Sequence, residues 1–359
     1  MTIARSVLFE SFNNVPVVWD GICQDDDLAM DLRVLYAFER TLKEQCRCWG
    51  LIIYNASGIA MGCAALCSFQ VNWMGVLFCG LPVPSGATHL RIKKGACAKS
   101  VLIEVDRAMR RLAESLKIRL IVFKEFDDAE ASSTAILSDM GYIRGAIPPM
   151  HLLHGSFASF ADYSQALKSR YRAQIERSQR KLRTAGFIVI CGRGHDFFAQ
   201  HFNDSVHALY VAVRNRAKHK LELMPASFFH ELAAALDQEV VLTLIYREGR
   251  ACAFTFSIAR RTTHYNLYSG LDYTLNNEGD LYFNLFYSDM DQAFKSGAHS
   301  LHLGQTSDAF KSRLGTHTQP LYFFSRAPSF AFNLILRLAA PFAFPKVIPV
   351  APHHVFTRG

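Results

Sequence analysis

Residues 240–259 read Val240-Val241-Leu242-Thr243-Leu244-Ile245-Tyr246-Arg247-Glu248-Gly249-Arg250-Ala251-Cys252-Ala253-Phe254-Thr255-Phe256-Ser257-Ile258-Ala259. Two runs rich in β-branched and aromatic residues flank Arg247-Glu248-Gly249-Arg250, a polar segment whose glycine suits a tight turn, so the stretch reads as a β-hairpin. Upstream, Pro225 stands at a favoured first-turn position for a helix over 226–236. Downstream come a third strand over 264–271, the loop Asn276-Asn277-Glu278-Gly279-Asp280, a helix over 281–295 stopped by Gly297, and a strand over 300–303. The order is helix, hairpin, strand, helix, strand.

The first half repeats that order. A helix over 25–45 opens on the capping cluster Asp25, Asp26 and Asp27 and sets Leu28, Leu32, Leu35 and Leu42 on one face. Strands over 49–54 and 59–69 flank the turn Asn55-Ala56-Ser57-Gly58, and a third strand over 76–83 runs into Pro84-Ser85-Gly86 and the basic loop Arg91-Ile92-Lys93-Lys94-Gly95. A helix with the stripe Val101, Val105, Ala108, Met109, Leu112 and Leu116 follows, then a strand over 118–123 and a short helix ending at Gly141. The two halves share element order and almost no sequence identity. The expected fold class is α/β, two tandem units with mixed, largely antiparallel sheets flanked by helices. Expected boundaries are 1–155 for the first unit, 156–224 for a basic helical connector packing with the second, 225–327 for the second unit with the active site, and 328–359 for a terminal helix and tail.

Composition narrows the class. The chain has 359 residues, half of them hydrophobic and 19% charged, which suits two globular cores rather than a disordered polymer. A formal net charge of +8 favours an anionic partner such as coenzyme A, an acyl carrier, RNA or an acidic lipid face. Nine cysteines, several within apolar runs and with no secretory signal before them, lead us to expect reduced thiols in a cytoplasmic protein. Cys46 and Cys48 stand one residue too close for a Cys-x-x-Cys clamp and no second pair with that spacing follows, so they read as small buried hydrophobes. The most apolar stretch, 328–350, is interrupted by Arg337, Pro341, Pro345, Lys346 and Pro349, which argues against a membrane span. It reads as a docked helix; peripheral membrane contact through Phe330, Phe332, Leu334, Ile335 and Phe342 is the alternative.

Two further stretches carry a family resemblance. Arg170-Tyr171-Arg172-Ala173-Gln174-Ile175-Glu176-Arg177-Ser178-Gln179-Arg180-Lys181-Leu182-Arg183-Thr184-Ala185-Gly186-Phe187 resembles the basic helix between the units of Fem-type transferases. Tyr268-Ser269-Gly270-Leu271-Asp272-Tyr273, Leu301-His302-Leu303-Gly304-Gln305-Thr306 and Phe310-Lys311-Ser312-Arg313-Leu314-Gly315 resemble the closing half of the same group. The resemblance implies a double GNAT fold whose second unit binds donor and acceptor between splayed strands and transfers an acyl or aminoacyl group to an amine. Donors in the wider group are aminoacyl-tRNA, acyl-CoA or acyl carrier thioesters; no tightly bound cofactor is implied, and the expected acceptor is a small-molecule or cell-wall-related amine, in cell-wall or specialised-metabolite biosynthesis.

Amide formation from an activated ester asks for a deprotonated amine and donors for the oxyanion. His302, in a strand, is a candidate base, and Asp272, at a strand end, a candidate catalytic carboxylate; their structural alternatives are a half-buried histidine and a turn-forming aspartate. Lys311 and Arg313 are candidates to bind a carboxylate or phosphate, with Gln305 and Tyr268 as orienting donors. Glu125, beside Lys124 after a first-half strand, is a candidate for the acceptor amine or an exposed strand end. Arg170, Arg172, Arg177 and Lys181 on the basic helix would grip a polyphosphate or RNA backbone, or form a solvated face. The loop Arg91–Cys97 resembles a pyrophosphate-binding loop with its glycine one place late, whereas the acids of 276–280 repel a pyrophosphate. Gly-x-Ser-x-Gly, His-Glu-x-x-His and Gly-x-x-x-x-Gly-Lys-Ser/Thr are all absent. The alternative function is a non-catalytic protein of this fold that holds RNA or a membrane surface.

Overall fold

The computed structural model describes residues 3–23, 26–71, 74–83, 85–217, 223–344 and 353–357. Its first part lays down β1 (Ile3–Phe9), α1 (Leu32–Thr41), β2 (Cys46–Asn55), β3 (Ala60–Val71), β4 (Met74–Cys79), β5 (Leu90–Ile92), α2 (Ala98–Ser115), β6 (Leu120–Phe126), α3 (Ala131–Asp139) and β7 (Ile143–His154). The β2–β3 turn closes as its residues dictate: Asn55 Oδ1 accepts from the amides of Ser57 and Ile59 at 3.0 and 2.9 Å, and Gly58 takes a φ of +75°. The first helix starts later than expected, because Asp31 accepts from Arg33 N at 2.8 Å and caps it there, while Leu28–Met30 forms a 3-10 turn. Of the expected capping cluster, Asp27 instead pairs with Arg91, and Asp25 lies outside the described residues.

The second part forms α4 (Phe160–Ala166), α5 (Ser169–Thr184), β8 (Ile188–Arg193), α6 (Gly194–His201), α7 (Asp204–Arg216), α8 (Ala226–Leu236), β9 (Val240–Arg247), β10 (Arg250–Arg260), β11 (Thr263–Leu271), α9 (Asn276–Gly279), α10 (Leu281–Lys295), β12 (Ser300–His302) and α11 (Asp308–Lys311), before β13 (His317–Arg326) and α12 (Phe330–Ala343). Two compact units result: Met1–Pro149 with Gln319–Ile348, and Met150–Thr318 with Pro349–Gly359. The chain therefore passes between the units three times, within β7, within β13 and after Ile348. The segment 156–224 is part of the second unit, and the terminal helix belongs to the first.

Within the first unit the strand order is β1-β2-β3-β4-β6-β13-β7, with β5 on β3, and β4 runs parallel to β6 with α2 between them. Within the second it is β7-β12-β11-β10-β9-β8, and β11 runs parallel to β12 with α10 between them. The repeated element order thus becomes a repeated strand–helix–strand crossover. Val101, Val105 and Met109 of α2 are buried with Leu51, Ile53, Leu77 and Ile121, each such side chain contributing about 1.5–3 kcal/mol. In the second unit Asp289 of α10 lies fully buried and accepts from Thr255 and Ser257 of β10 and His264 and Asn266 of β11, at 2.9–3.3 Å. These bonds hold its carboxyl below the ordinary pKa despite burial, and they fix α10 to the strand that borders the site.

α12 is capped by Ser329 and tied to Gly141 O by Asn333 at 3.0 Å. It leaves Phe330, Phe332, Leu334, Ile335, Leu338 and Phe342 exposed, and no helix among the described residues is long and apolar enough to cross a membrane.

Candidate active site

β11 and β12 pair for three residues only, Thr263 with Ser300, His264 with Leu301 and Tyr265 with His302. β12 is paired with β7 on its other side, and beyond these residues only that pairing continues: Leu303 N donates to His151 O at 2.9 Å and His151 N donates to Gly304 O at 3.1 Å. β11 and β12 consequently splay. On the β11 side the register with β10 slips between Asn266 and Tyr268, a bulge that drops Leu267 out of the ladder at the opening.

Lys311 reaches this opening from α11. A Cβ on Gly304 would lie 3.4 Å from Lys311 Nζ and 3.9 Å from Asn266 O, so the ammonium sits where the strands part, and Gly304, at φ +82°, leaves it room. Lys311 is 2% exposed and makes no hydrogen bond through Nζ among the described residues; the Phe286 ring centroid lies 5.6 Å away. Burial, only partly opposed by Asp308, pulls its pKa from 10.5 down to about 7. A buried, unpaired ammonium is a costly group to keep, and its position beside an open strand pair makes it a site for developing negative charge.

The turn bearing Lys311 is moored by a chain of polar contacts. His151 Nε2 meets Asp308 Oδ1 at 2.7 Å, its Nδ1 meets Thr316 Oγ1 at 3.2 Å, and Thr316 Oγ1 donates to Lys311 O at 3.0 Å. His151, Asp308 and Thr316 are absent from the sequence-derived candidates, and no local pattern joins positions so far apart in the chain.

His302 closes the inner end of the splay, its ring 4.7 Å from Tyr265. Burial, then the fields of His154 and His317, pull its pKa down to about 4, which makes it a neutral and weak base. Gln305 follows Gly304 directly and is half-buried, while Arg313 is exposed. Tyr268 packs instead among Tyr210, Phe228 and Phe229, ring centroids 5.2–5.9 Å away.

The structure does not gather Asp272 with Lys311. Six residues beyond Asn266, roughly 20 Å of extended chain, its carboxylate accepts from Thr274 N at 3.0 Å and pairs with Arg250 at 2.8 Å. The hydrogen bonds from Thr274 and the Arg250 charge outweigh burial and hold its pKa low, the turn-forming alternative rather than the catalytic one. In the first unit Glu125 is likewise engaged: it is buried and accepts from Ser85 N at 3.0 Å and Gly86 N at 3.2 Å. Lys124 Nζ donates to Leu81 O at 2.8 Å and to Val83 O. Both clamp a turn rather than face an acceptor.

The anion-binding candidates divide. Arg91 is committed to Asp27 and to the carbonyls of Thr88 and Leu90. At the start of α10, Asn276 Oδ1 accepts from Tyr282 N at 3.0 Å, whereas Asp280, the N-cap residue, makes no side-chain bond to the helix and adds, with Glu278 nearby in sequence, negative charge that disfavours an anion. Beside that loop runs α5: Lys181 pairs with Asp280 at 2.7 Å, Arg170 lies over Tyr171, and Arg177 is exposed. Arg172 lines a cleft of about 590 Å³ with Glu176, Gln179, Cys191 and Asp291.

Comparison with known proteins agrees with this architecture. The C-terminal domain of a putative lysylphosphatidylglycerol synthetase from Agrobacterium fabrum superposes with a TM-score of 0.55 at 14% identity, over 91% of this chain and 96% of that one. FemX gives 0.53 at 12% identity, over 81% and 90% of the two chains. A tandem GNAT protein from the clavulanic acid biosynthesis pathway gives 0.56 at 11% identity, over 90% and 99%. At such identities these likenesses show the fold, two tandem GNAT units. No curated protein matches the sequence. The profile of the FemAB-like family, described as peptidoglycan biosynthesis/recognition, matches residues 73–324, more than half of the chain. Splayed strands, the basic helix and the closing segment thus fall within one family match, and the chain belongs to the FemAB-like family.

Proposed function

We propose that the protein is an aminoacyltransferase that moves an aminoacyl group from its ester with tRNA to an amine of a peptidoglycan-related acceptor, at the splay between β11 and β12. The single observation that carries this reading is the buried, unpaired Lys311 ammonium beside Gly304. The acceptor nitrogen attacks the ester carbonyl, a C–N bond forms, and the C–O bond to the ribose breaks. The proton lost by the amine leaves with the ribose hydroxyl. Lys311 stabilises the intermediate oxyanion, a contribution of about 10²–10³ in rate for one well-placed donor. His151, Asp308 and Thr316 position it, and His302 bounds the pocket as a neutral ring.

Two features favour tRNA over a thioester. At the helix start that would hold a pyrophosphate, Asn276 takes up the amide of Tyr282 and the acids Glu278 and Asp280 lie close by in sequence, while the exposed cations of α5 offer a track for a phosphate backbone. Such a donor places the reaction in the cytoplasm, and the exposed apolar face of α12 would rest on the inner surface of the membrane. Incubation with a labelled aminoacyl-tRNA pool, with acyl-CoA or with an acyl carrier thioester, each with an amine-bearing peptidoglycan precursor, separates the donors. Label in an alkali-stable amide that disappears on ribonuclease treatment supports the proposal; label transferred only from a thioester overturns the tRNA reading. Vesicle flotation that is unchanged by Phe330→Ser with Phe342→Ser removes the membrane contact.

A further inference from the structure

Three cysteines that take no part in the transfer chemistry meet in the first unit. Cys46 and Cys48 are two residues apart on β2 and so project from the same face, and Cys48 stands directly opposite Cys67 of β3 in the antiparallel register. All three are buried, and their Sγ atoms lie within 4.8 Å of one another. The spacing Cys-x-Cys alone does not make a clamp; the third thiol arrives through strand pairing, which a linear motif cannot show.

Geometry separates this cluster from ordinary thiol packing. An ion bound in a plane by three thiolates at about 2.3 Å sets the sulfurs roughly 4.0 Å apart. The cluster therefore needs to contract by at most about 0.8 Å, within the play of side-chain torsions. By contrast, the other close thiol pair of this unit, Cys23 and Cys63 at 3.7 Å, has only two sulfurs.

An ion also has a way in. Cys46 lines a surface cleft of about 250 Å³ together with Lys43, Glu44, Gln45, Arg47 and Gln70. In the free protein Cys46 Sγ donates to Leu42 O at 3.4 Å and Cys67 Sγ to Ser68 O at 3.7 Å, so these two thiols exchange a carbonyl for the ion on binding.

We propose that Cys46, Cys48 and Cys67 form a three-thiolate site for a soft d10 cation, Cu⁺ or Zn²⁺. Thiolate sulfur selects these ions over the hard cations of carboxylate sites. Binding forms three metal–sulfur bonds, and the protons of the thiols that are still protonated pass to water through the cleft; no electron is transferred. Cu⁺ is satisfied by three sulfurs, whereas Zn²⁺ takes a water from the cleft as its fourth ligand.

The test uses the full chain, purified with reductant. Samples are loaded with Zn²⁺, with Co²⁺ as its coloured surrogate, or with Cu⁺ in competition with a Cu⁺ chelator, then desalted and assayed for metal. One equivalent retained, sulfur-to-cobalt charge-transfer absorption in the near ultraviolet, and at least 100-fold weaker binding in Cys67→Ser but not in the second-unit control Cys252→Ser are the expected results. Because Cys67→Ser sits in the core, protection is measured on the wild type as well: bound metal should shield Cys46, Cys48 and Cys67 together from alkylation, read by peptide mass. Failure to retain metal, retention undiminished in a folded Cys67→Ser protein, or alkylation unaffected by metal overturns the site, as does a Cys48–Cys67 disulfide in the protein isolated without reductant. None of these outcomes bears on Lys311, so this site and the transfer chemistry stand or fall separately.

Discussion

Replacing Lys311 by Met should make the second unit more stable while removing its chemistry. The side chain is 2% exposed, its Nζ makes no hydrogen bond among the described residues, and its pKa drops from 10.5 to about 7. At about 1.4 kcal/mol for each tenfold change in acidity, the buried charge costs roughly 4–5 kcal/mol, an upper figure since local relaxation reduces it. Methionine keeps the length, removes the charge and suits the neighbouring Phe286 ring. The pH dependence follows from proton counts. Between pH 7 and 10.5 the unfolded lysine keeps a proton that the folded one has released, so wild-type stability rises with pH in that window, and the cost is full at pH 7 and below. The advantage of Lys311→Met should thus be largest at pH 6 and about 2–3 kcal/mol smaller at pH 9. No tryptophan falls within residues 150–318 or 349–359, so intrinsic fluorescence does not report the second unit. Amide hydrogen exchange read on peptides from β11 and α10 is the suitable assay. A variant that is less stable than wild type at pH 6, or whose advantage does not change with pH, refutes the buried-ammonium argument.

Three further outcomes follow from the same geometry. Because Lys311 stabilises the oxyanion as an ammonium, kcat/KM should fall above about pH 7 in the wild type, and this limb should vanish in Lys311→Arg; a rate that climbs through pH 7 would make the lysine a base instead. Gly304→Ala places a left-handed φ on a residue with a Cβ and sets that carbon 3.4 Å from Nζ, so it should lower the thermal midpoint, by about 1–2 kcal/mol in stability terms, and slow transfer at least tenfold; unchanged kcat would show that the site lies elsewhere. Asp272→Asn loses turn and Arg250 contacts worth about 1 kcal/mol but should leave kcat within a factor of two, and a loss beyond 100-fold would restore the aspartate to the chemistry.

Element order was legible because it rests on local periodicity: the hairpin 240–259, the helix over 281–295 and the strand that follows appear where alternation and turn residues put them. β1 was not read, since a single short edge strand lacks a flanking turn partner, and the unit boundaries inside β7 and β13 are invisible because periodicity names no strand's neighbour. Lys311 was legible as a residue type in a family-like segment, but its burial was not, since that depends on Gly304 and on the mooring of α11 by His151. Asp272 does line a cleft, of about 470 Å³, as a strand end should, but its carboxylate is taken up by Thr274 and Arg250, which its place in the sequence does not show. Glu125 failed in the same way against Ser85 and Gly86.

The most direct test of the central claim is single-turnover transfer of a labelled aminoacyl group from charged tRNA to an amine-bearing peptidoglycan precursor, comparing wild type with Lys311→Met. The account predicts an alkali-stable amide with the wild type and a rate about 10²–10³ lower with the folded variant. Equal rates for the two proteins, or no amide from any charged tRNA with either, would contradict it.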